Sequence, residues 1–329
     1  MKTKLYCPQS AEKRSLVDKV VSLYTAYMPQ EYSKSRIARG VFYIICSSFC
    51  FALMGMLAHL AGDIPFMQKA FFRNIIAFFI AFALLIKEQR EGKRPFVLPR
   101  GSVLFLFLRS VAGSLGIFGN FYALDKINIA DASILNKMSP FFTVIFSFFI
   151  LGEKIMPVPL AAICISIAGA ALVIKPSFEI TAMFPALAGF LGGVGAGFAY
   201  SCVRRLRVMN VNGKLIVACF SLFSLLLAVP FLLFHFSPMT VRQLLIMLAA
   251  GIAAAGGQLT ITAAYSEAAY GAAPAAKISI FDYSQILFSS LMGFFAFGQI
   301  PDAMSFAGYT VIIAMAIVVF VYNRRHSDY

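Results

Sequence analysis

The chain has 329 residues, of which 60% are hydrophobic and only 13% are charged, and its mean hydropathy is +0.83. Soluble domains carry about 25% charged residues, so this composition excludes a soluble globular enzyme, a disordered protein and a disulfide-stabilised secreted domain. The formal net charge is +14, and the class that remains is a polytopic helical membrane protein.

The first 36 residues are polar and precede the first long apolar run. Within them, residues 15–28 place apolar side chains on a broad face, which predicts an amphipathic helix at the membrane interface. A mobile tail explains the same residues equally well. We assign this N-terminal segment no function.

Ten apolar runs follow, each close to the length that crosses a hydrocarbon core about 30 Å thick, which takes about 20 residues. Short loops with turn residues separate them, so no soluble domain fits between the spans. The predicted spans are 40–61, 66–86, 102–124, 129–151, 157–174, 183–203, 214–236, 241–266, 272–297 and 303–322. This pattern predicts an all-α integral membrane protein with ten transmembrane helices.

Lysine and arginine are distributed unevenly among the tails and loops. The two tails and every second loop together hold 20 of them, whereas the opposite loops hold only Lys126, Lys175 and Arg242. Positively charged loops stay on the cytoplasmic side of a membrane. We therefore predict that both termini are cytoplasmic in a cell membrane, and that the basic excess reports topology rather than nucleic-acid binding.

The two halves of the chain are related by a shift of 146 residues, which places Gly152 on Gly298 and Phe148 on Phe294. Matched helices are five spans apart, an odd number, so they cross the membrane in opposite directions. This is the inverted repeat of a carrier, whose substrate site lies near the bilayer midplane. The predicted segments are an N-terminal tail over 1–36, repeat 1 over 37–175, repeat 2 over 183–322 and a C-terminal tail over 323–329.

Short motifs recur along the spans in a defined order. They are RSVAGSLG at 109–116 with FYAL at 121–124, ADASIL at 130–135 with SP at 139–140 and LGEK at 151–154, the 167–173 segment, and FDY at 281–283 with FGQ at 297–299. In this order the sequence resembles the EamA branch of the drug/metabolite transporter superfamily over about residues 40–322. The resemblance implies two five-helix EamA repeats, a central cavity lined mainly by helices 1, 3, 4, 6, 8 and 9, and transport of a small organic molecule, often outward.

Ionisable side chains inside the hydrocarbon are costly, so they normally face a cavity or a partner. Arg73 and Arg109 lie about 10 Å inside their spans, from where arginine can snorkel to the surface; we favour structural anchoring for both and for Lys277. Lys137 and Asp282 lie near the centres of the fourth and ninth spans, about 10 Å apart along the membrane normal. That separation is long for a direct salt bridge but suits a small zwitterion, with Lys137 meeting a carboxylate and Asp282 an amine or a proton. The alternative is a structural pair that locks the repeats together.

Other polar side chains complete the candidate substrate-binding set. They are Asn136, Tyr283, Asn120, Gln258 and, as an alternative to anchoring, Arg109. Interhelical hydrogen bonding explains these polar residues equally well. His59 and His235 have no second ligand at metal spacing, so we expect them at the surface and infer neither a metal nor a cofactor.

Glycines and prolines occur within several of the predicted spans. The sixth span holds five glycines, including Gly189 and Gly193, whose spacing predicts close helix packing. Pro140 and Pro230 are predicted to kink the fourth and seventh spans, because proline removes one backbone hydrogen bond.

A carrier fits these features better than its rivals do. A channel is expected to show a pore-lining ring of carbonyls or like charges, and an intramembrane enzyme needs a nucleophile–base pair or a carboxylate cluster. We therefore predict a transporter of a small polar metabolite, amino-acid-like in charge, and not an enzyme, with a channel or an intramembrane enzyme as the alternative. Its expected partners are the substrate and the lipid bilayer. Transport direction, ion coupling, and a monomer or homodimer are left open.

Overall fold

The computed structural model describes residues 30–92, 98–126, 135–153, 155–174, 183–270, 275–298 and 300–325. These residues form a bundle of ten helices, eight of them long and apolar enough to cross a membrane and two shorter apolar ones. The helices are α1 (Gln30–Leu60), α2 (Phe66–Arg90), α3 (Ser102–Lys126), α4 (Ser139–Leu151), α5 (Pro157–Ile174), α6 (Met183–Val208), α7 (Gly213–His235), α8 (Val241–Tyr270), α9 (Ala276–Phe297) and α10 (Ala303–Arg325). The predicted all-helical membrane fold is confirmed, with α4 and α5 as the short members.

Helix α1 begins at Gln30, ten residues before the predicted first span and inside the segment assigned to the N-terminal tail. Hydropathy marks only the part of a helix that lies in the hydrocarbon, whereas the backbone hydrogen bonds continue beyond it into polar sequence. The same effect carries α10 to Arg325. The predicted interfacial helix at 15–28 lies outside the described residues.

Helix packing follows the predicted repeat. If α1–α5 are matched in order with α6–α10, the α1–α8 contact corresponds to the α3–α6 contact, and α1–α9 corresponds to α4–α6. The α2–α8 contact corresponds to the α3–α7 contact in the same way. The α2–α7 and α5–α10 contacts join matched helices, so each corresponds to itself. This symmetry of contacts is what two inverted five-helix repeats produce.

The ends of α4 and α9 show the same register in the backbone. Gly152 and Gly298 close these helices with φ of +69° and +66°, a left-handed conformation that favours glycine. Their N–H groups donate to the carbonyls of Phe148 and Phe294, in both cases at 3.0 Å. The 146-residue shift therefore matches helix ends with the same backbone conformation as well as identical residues.

The predicted close packing of the glycine-rich sixth span is confirmed. A Cβ added to Gly193 would lie 2.4 Å from the carbonyl oxygen of Leu135, and one added to Gly119 would lie 2.5 Å from that of Ala188. Such distances are too short for any larger side chain. Glycine thus brings α6 against α3 and against the residues before α4.

Both α4 and α9 are irregular at the level of the cavity described below. The chain forms a turn at residues 137–138, and α4 starts at Ser139 with Pro140 in its first turn. Pro140 therefore begins a helix instead of kinking one, because it has no N–H to donate to the carbonyl of Asn136. In α9 a 3-10 turn spans Ile280–Tyr283 and ends at the residue that the repeat matches with Lys137.

Candidate functional site

A cavity of about 520 Å³ lies between the two repeats. Its mouth is at the end of the bundle where α1 ends, beside the exposed His59 and the rings of Phe66 and Phe297. The other end of the bundle, where α1 begins and α10 ends, is called here the terminal side. On that side the cavity stops at Tyr200, whose ring stacks on the buried Tyr265 with centroids 5.3 Å apart.

The polar centre of the cavity is an ion pair between the repeats. The ammonium of Lys137 lies 3.2 Å from Oδ2 of Asp282 and 3.3 Å from the carbonyl oxygen of the same residue. Both side chains are buried and line the cavity. The prediction that these residues are too far apart for a direct salt bridge is wrong, because it assumed straight helices. The turn at 137–138 and the 3-10 turn in α9 bring the two groups together.

Two further side chains hold this pair, which we call the Lys137–Asp282 pair. Gln285 Oε1 accepts a hydrogen bond of 2.7 Å from the Lys137 ammonium, and the Tyr283 hydroxyl donates to the Lys137 carbonyl at 3.0 Å. Tyr283 is fully buried behind the cavity and is not one of its lining residues. Gln285 was missed from the sequence, although its position three residues after Asp282 places it on the same helical face.

Arg109 does not snorkel to the surface as favoured from the sequence. Helical side chains usually point toward the helix N-terminus, which for Arg109 is the nearer surface. Its guanidinium instead lies one turn further on, where a Cβ on Gly113 would be 2.0 Å from Nη1. There it donates to Gln258 Oε1 at 3.2 Å and lies 4.0 Å from the centre of the Phe220 ring. Arg109 and Gln258 are both buried and both line the cavity.

The remaining candidates divide between the cavity and the packed interior. Arg73 lines the cavity at 7% exposure, with its guanidinium 5.7 Å from the Phe51 ring centre, so it is not a surface anchor either. Asn120 and Asn136 also line the cavity. Lys277, predicted to snorkel, is only 2% exposed and lies outside the cavity lining.

On the terminal side, Glu153 links the end of α4 to the second repeat. One of its carboxylate oxygens accepts a hydrogen bond from Arg204 of α6, and the other accepts one of 2.9 Å from the backbone N–H of Ala275. Arg204 is 2% exposed. Breaking a pair whose cation is buried is costly, because the arginine left behind stays charged.

Three more ion pairs join the repeats at the same end. Glu267 of α8 lies 3.4 Å from Arg39 and 3.9 Å from Arg36, both in the first turns of α1. Lys214 at the start of α7 lies 2.8 Å from Glu88 at the end of α2. The cavity is thus open toward its mouth and closed by ion pairs on the terminal side.

Nothing in the described ranges groups three or more His, Cys, Asp or Glu side chains as a metal ion would need. His59 and His235 are exposed, as predicted. The polar groups of the cavity are mainly cations and amides, which suit an organic ligand better than a metal ion.

Comparison with known proteins supports this architecture. Residues 38–175 match the EamA-like transporter family. The pseudopaline exporter CntI of Pseudomonas aeruginosa (strain UCBPP-PA14) is 30% identical over 282 residues, which cover 85% of this chain and 95% of that protein. Human solute carrier family 35 member G1 is 29% identical over 181 residues, 53% of this chain and 48% of that protein. A solved crystal structure with 18% identity superposes with a TM-score of 0.72, over 88% of this chain and 98% of that one.

The match to the pseudopaline exporter runs through both repeats, while the family match covers the first. The fold, the repeat symmetry and these relatives agree with one another and with transport instead of enzymatic chemistry. The chain is therefore a multi-pass membrane transporter of the EamA-like family, within the drug/metabolite transporter superfamily.

Proposed function

We propose that the protein exports, or lets equilibrate, a small polar organic metabolite of amino-acid-like character, and that it does so by alternating access around the central cavity. The observation that carries this proposal is the Lys137–Asp282 pair, which lies in a cavity of about 520 Å³ between the two repeats. Ligand pockets for small molecules typically measure about 300–1,000 Å³. A relative named as an exporter, similar over nearly its whole length, supports the outward direction.

The pair offers opposite charges to one ligand. A substrate carboxylate replaces Asp282 as the partner of Lys137, and a substrate amine, or a proton, replaces Lys137 as the partner of Asp282. Each buried charge then keeps a partner, which avoids the penalty of leaving one unpaired. Because Lys137 belongs to repeat 1 and Asp282 to repeat 2, this exchange also releases a direct contact between the repeats. Gln285, Asn136, Asn120 and Gln258 supply further hydrogen bonds to the substrate.

The two ends of the cavity supply the gates. In the described conformation the mouth is open, while the pairs made by Glu153, Glu267 and Glu88 close the terminal side. Rocking of one repeat against the other opens that side and closes the mouth, as expected of carriers built from inverted repeats. The 20-to-3 distribution of Lys and Arg supports a cytoplasmic position for the terminal side. Fluorescence from a C-terminal green fluorescent protein fusion, and no activity from an alkaline phosphatase fusion at the same place, tests this orientation in a cell membrane.

Uptake into proteoliposomes tests the transport proposal. Radiolabelled amino acids are offered with and without a pH gradient to the wild type, Lys137→Ala and Asp282→Asn. Saturable uptake of at least one of them is expected, with loss in both variants. The exposed Lys87→Ala and Asp63→Asn repeat the same chemical changes outside the cavity and should transport normally. Full transport by both cavity variants would overturn the proposed site.

A structural lock is separated from a binding site by exchanging the two charges. The double variant Lys137→Asp with Asp282→Lys restores an ion pair between the repeats. If the pair only locks them, both the melting temperature and transport recover. If the pair binds substrate, the melting temperature recovers but transport does not, because the substrate then meets the wrong charge at each end.

A further inference from the structure

The cavity carries more positive charge than the Lys137–Asp282 pair balances. Arg73 and Arg109 also line it, and within the described part of the chain no carboxylate lies within 4 Å of either guanidinium. Lys69, nearer the mouth, has contacts of its own. Asp282 is the one carboxylate among the described cavity-lining residues, and it faces Lys137. The two arginines thus leave an excess of positive charge at the centre of the site.

Neither arginine has a charged counterpart in the other repeat. The 146-residue shift matches Arg73 with Cys219 and Arg109 with Ala255, so the second repeat holds no equivalent charge. At 7% and 2% exposure, both side chains are more than nine-tenths buried, and the Nε atom of each has no protein partner in the described residues. Buried charges without a partner are strongly unfavourable.

The surroundings of Arg109 hold its charge toward the cavity. Gly113 leaves the space that the guanidinium occupies, Gln258 accepts one hydrogen bond and the Phe220 ring covers one face. None of these neighbours carries a negative charge. The planar fork of arginine is suited to bidentate binding of carboxylate or phosphate groups, so the missing partner is an anion.

We propose that Arg73 and Arg109 form an anion-binding subsite, and that the transported molecule carries at least two acidic groups, one for this subsite and one for Lys137. This deepens the proposed function and rests on it for the second of these groups. The substrate class is then an amino-acid-like molecule with two or more carboxylates and a net negative charge. A simple zwitterion of net charge zero leaves the arginine subsite unfilled.

Matched acids and amides test the charge preference directly. Full-length protein in detergent is titrated with glutamate, glutamine, citrate and phosphoserine, and binding is followed by the rise in melting temperature. Glutamate and citrate should stabilise the protein at concentrations about tenfold or more below those needed for glutamine, as a charge-assisted hydrogen bond implies. Phosphoserine acting below the citrate concentration would support the subsite and assign it to phosphate esters.

Substitutions then locate the preference. Arg73→Gln and Arg109→Gln should each abolish the difference between glutamate and glutamine, and Arg109→Lys should retain part of it. Arg205→Gln is the matched control, because Arg205 also lies over an aromatic ring, that of Phe105 at 5.9 Å, but outside the cavity. Equal titration by glutamate and glutamine in the wild type, or an undiminished preference in both Gln variants, would overturn the subsite.

The two proposals fail in different ways. Transport that depends on Lys137 but ignores both arginines would retain the proposed function and reject the anion subsite. A preference for acids that depends on the arginines, in a protein that moves no solute, would retain the anion subsite and reject the proposed transport function.

Discussion

Replacing Gly113 by alanine tests the placement of the Arg109 guanidinium without removing its charge. The added Cβ would lie 2.0 Å from Arg109 Nη1 and 2.8 Å from Cε2 of Phe220, whereas ordinary contacts begin at 3.4 Å. The guanidinium must therefore move by about 1.4 Å, the difference between 3.4 and 2.0 Å. We expect a shift of that size to break the 3.2 Å hydrogen bond from Arg109 Nη2 to Gln258.

The expected magnitude follows from these contacts. Overpacking a buried site costs about 1–3 kcal/mol, and loss of a hydrogen bond to a charged group costs about 1.5–3 kcal/mol. The two effects share one displacement and do not add fully, so we expect Gly113→Ala to lose about 2–4 kcal/mol of stability. The preference for glutamate over glutamine should fall about tenfold at the same time.

Thermal denaturation followed by circular dichroism, with and without glutamate, measures both effects. Gly55→Ala is the control, since Gly55 also lines the cavity and a Cβ there meets nothing within 4 Å. In an Arg109→Gln background the cost of Gly113→Ala should shrink, because the closest atom is gone. Equal melting temperatures and equal preferences for Gly113→Ala, Gly55→Ala and wild type would refute the placement of Arg109 beside Gly113.

Two other perturbations probe the gate and the repeat. Glu153→Gln breaks the pair with Arg204, at a cost of about 3 kcal/mol to the closed terminal side. Cys202, fully buried on α6 two residues before Arg204, should then alkylate about tenfold faster or more in a protein whose other cysteines are alanine; an unchanged rate contradicts the gate. Gly152→Ala and Gly298→Ala should each cost about 1 kcal/mol and lower the melting temperature equally, because both have positive φ and open space around the Cβ. Unequal losses would argue that the two caps are not equivalent.

The sequence predicted which residues line the cavity better than it predicted the contacts between their side chains. Their positions near the centres of apolar spans identified Lys137 and Asp282 as central residues, and both line the cavity. The axial distance between them was misjudged, because residue counting assumes a rise of about 1.5 Å throughout a regular helix. The turn before Pro140 and the 3-10 turn at Ile280–Tyr283 break that regularity.

Arg73 and Arg109 show a second limit on what can be predicted from the sequence. Their depth in the spans allowed either a surface anchor or a cavity ligand, since a long side chain reaches about as far in either direction. The choice for Arg109 depends on space beside Gly113 and on partners from α7 and α8, which lie more than 100 residues away in the chain. Glu153 was likewise visible only as part of a turn motif, because its partner Arg204 comes from the other repeat.

The amino-acid sequence was sufficient to predict the membrane class, the ten helices, their alternation of direction and the inverted repeat. These properties follow from hydrophobic run length, loop charge and internal periodicity, which are local or additive along the chain. The contacts between charged residues, the arginines that face the cavity and its closed end became clear only from the three-dimensional structure. Those outcomes depend on helix irregularities and on side-chain directions set by packing between distant segments, and neither is encoded in the spacing of residue types.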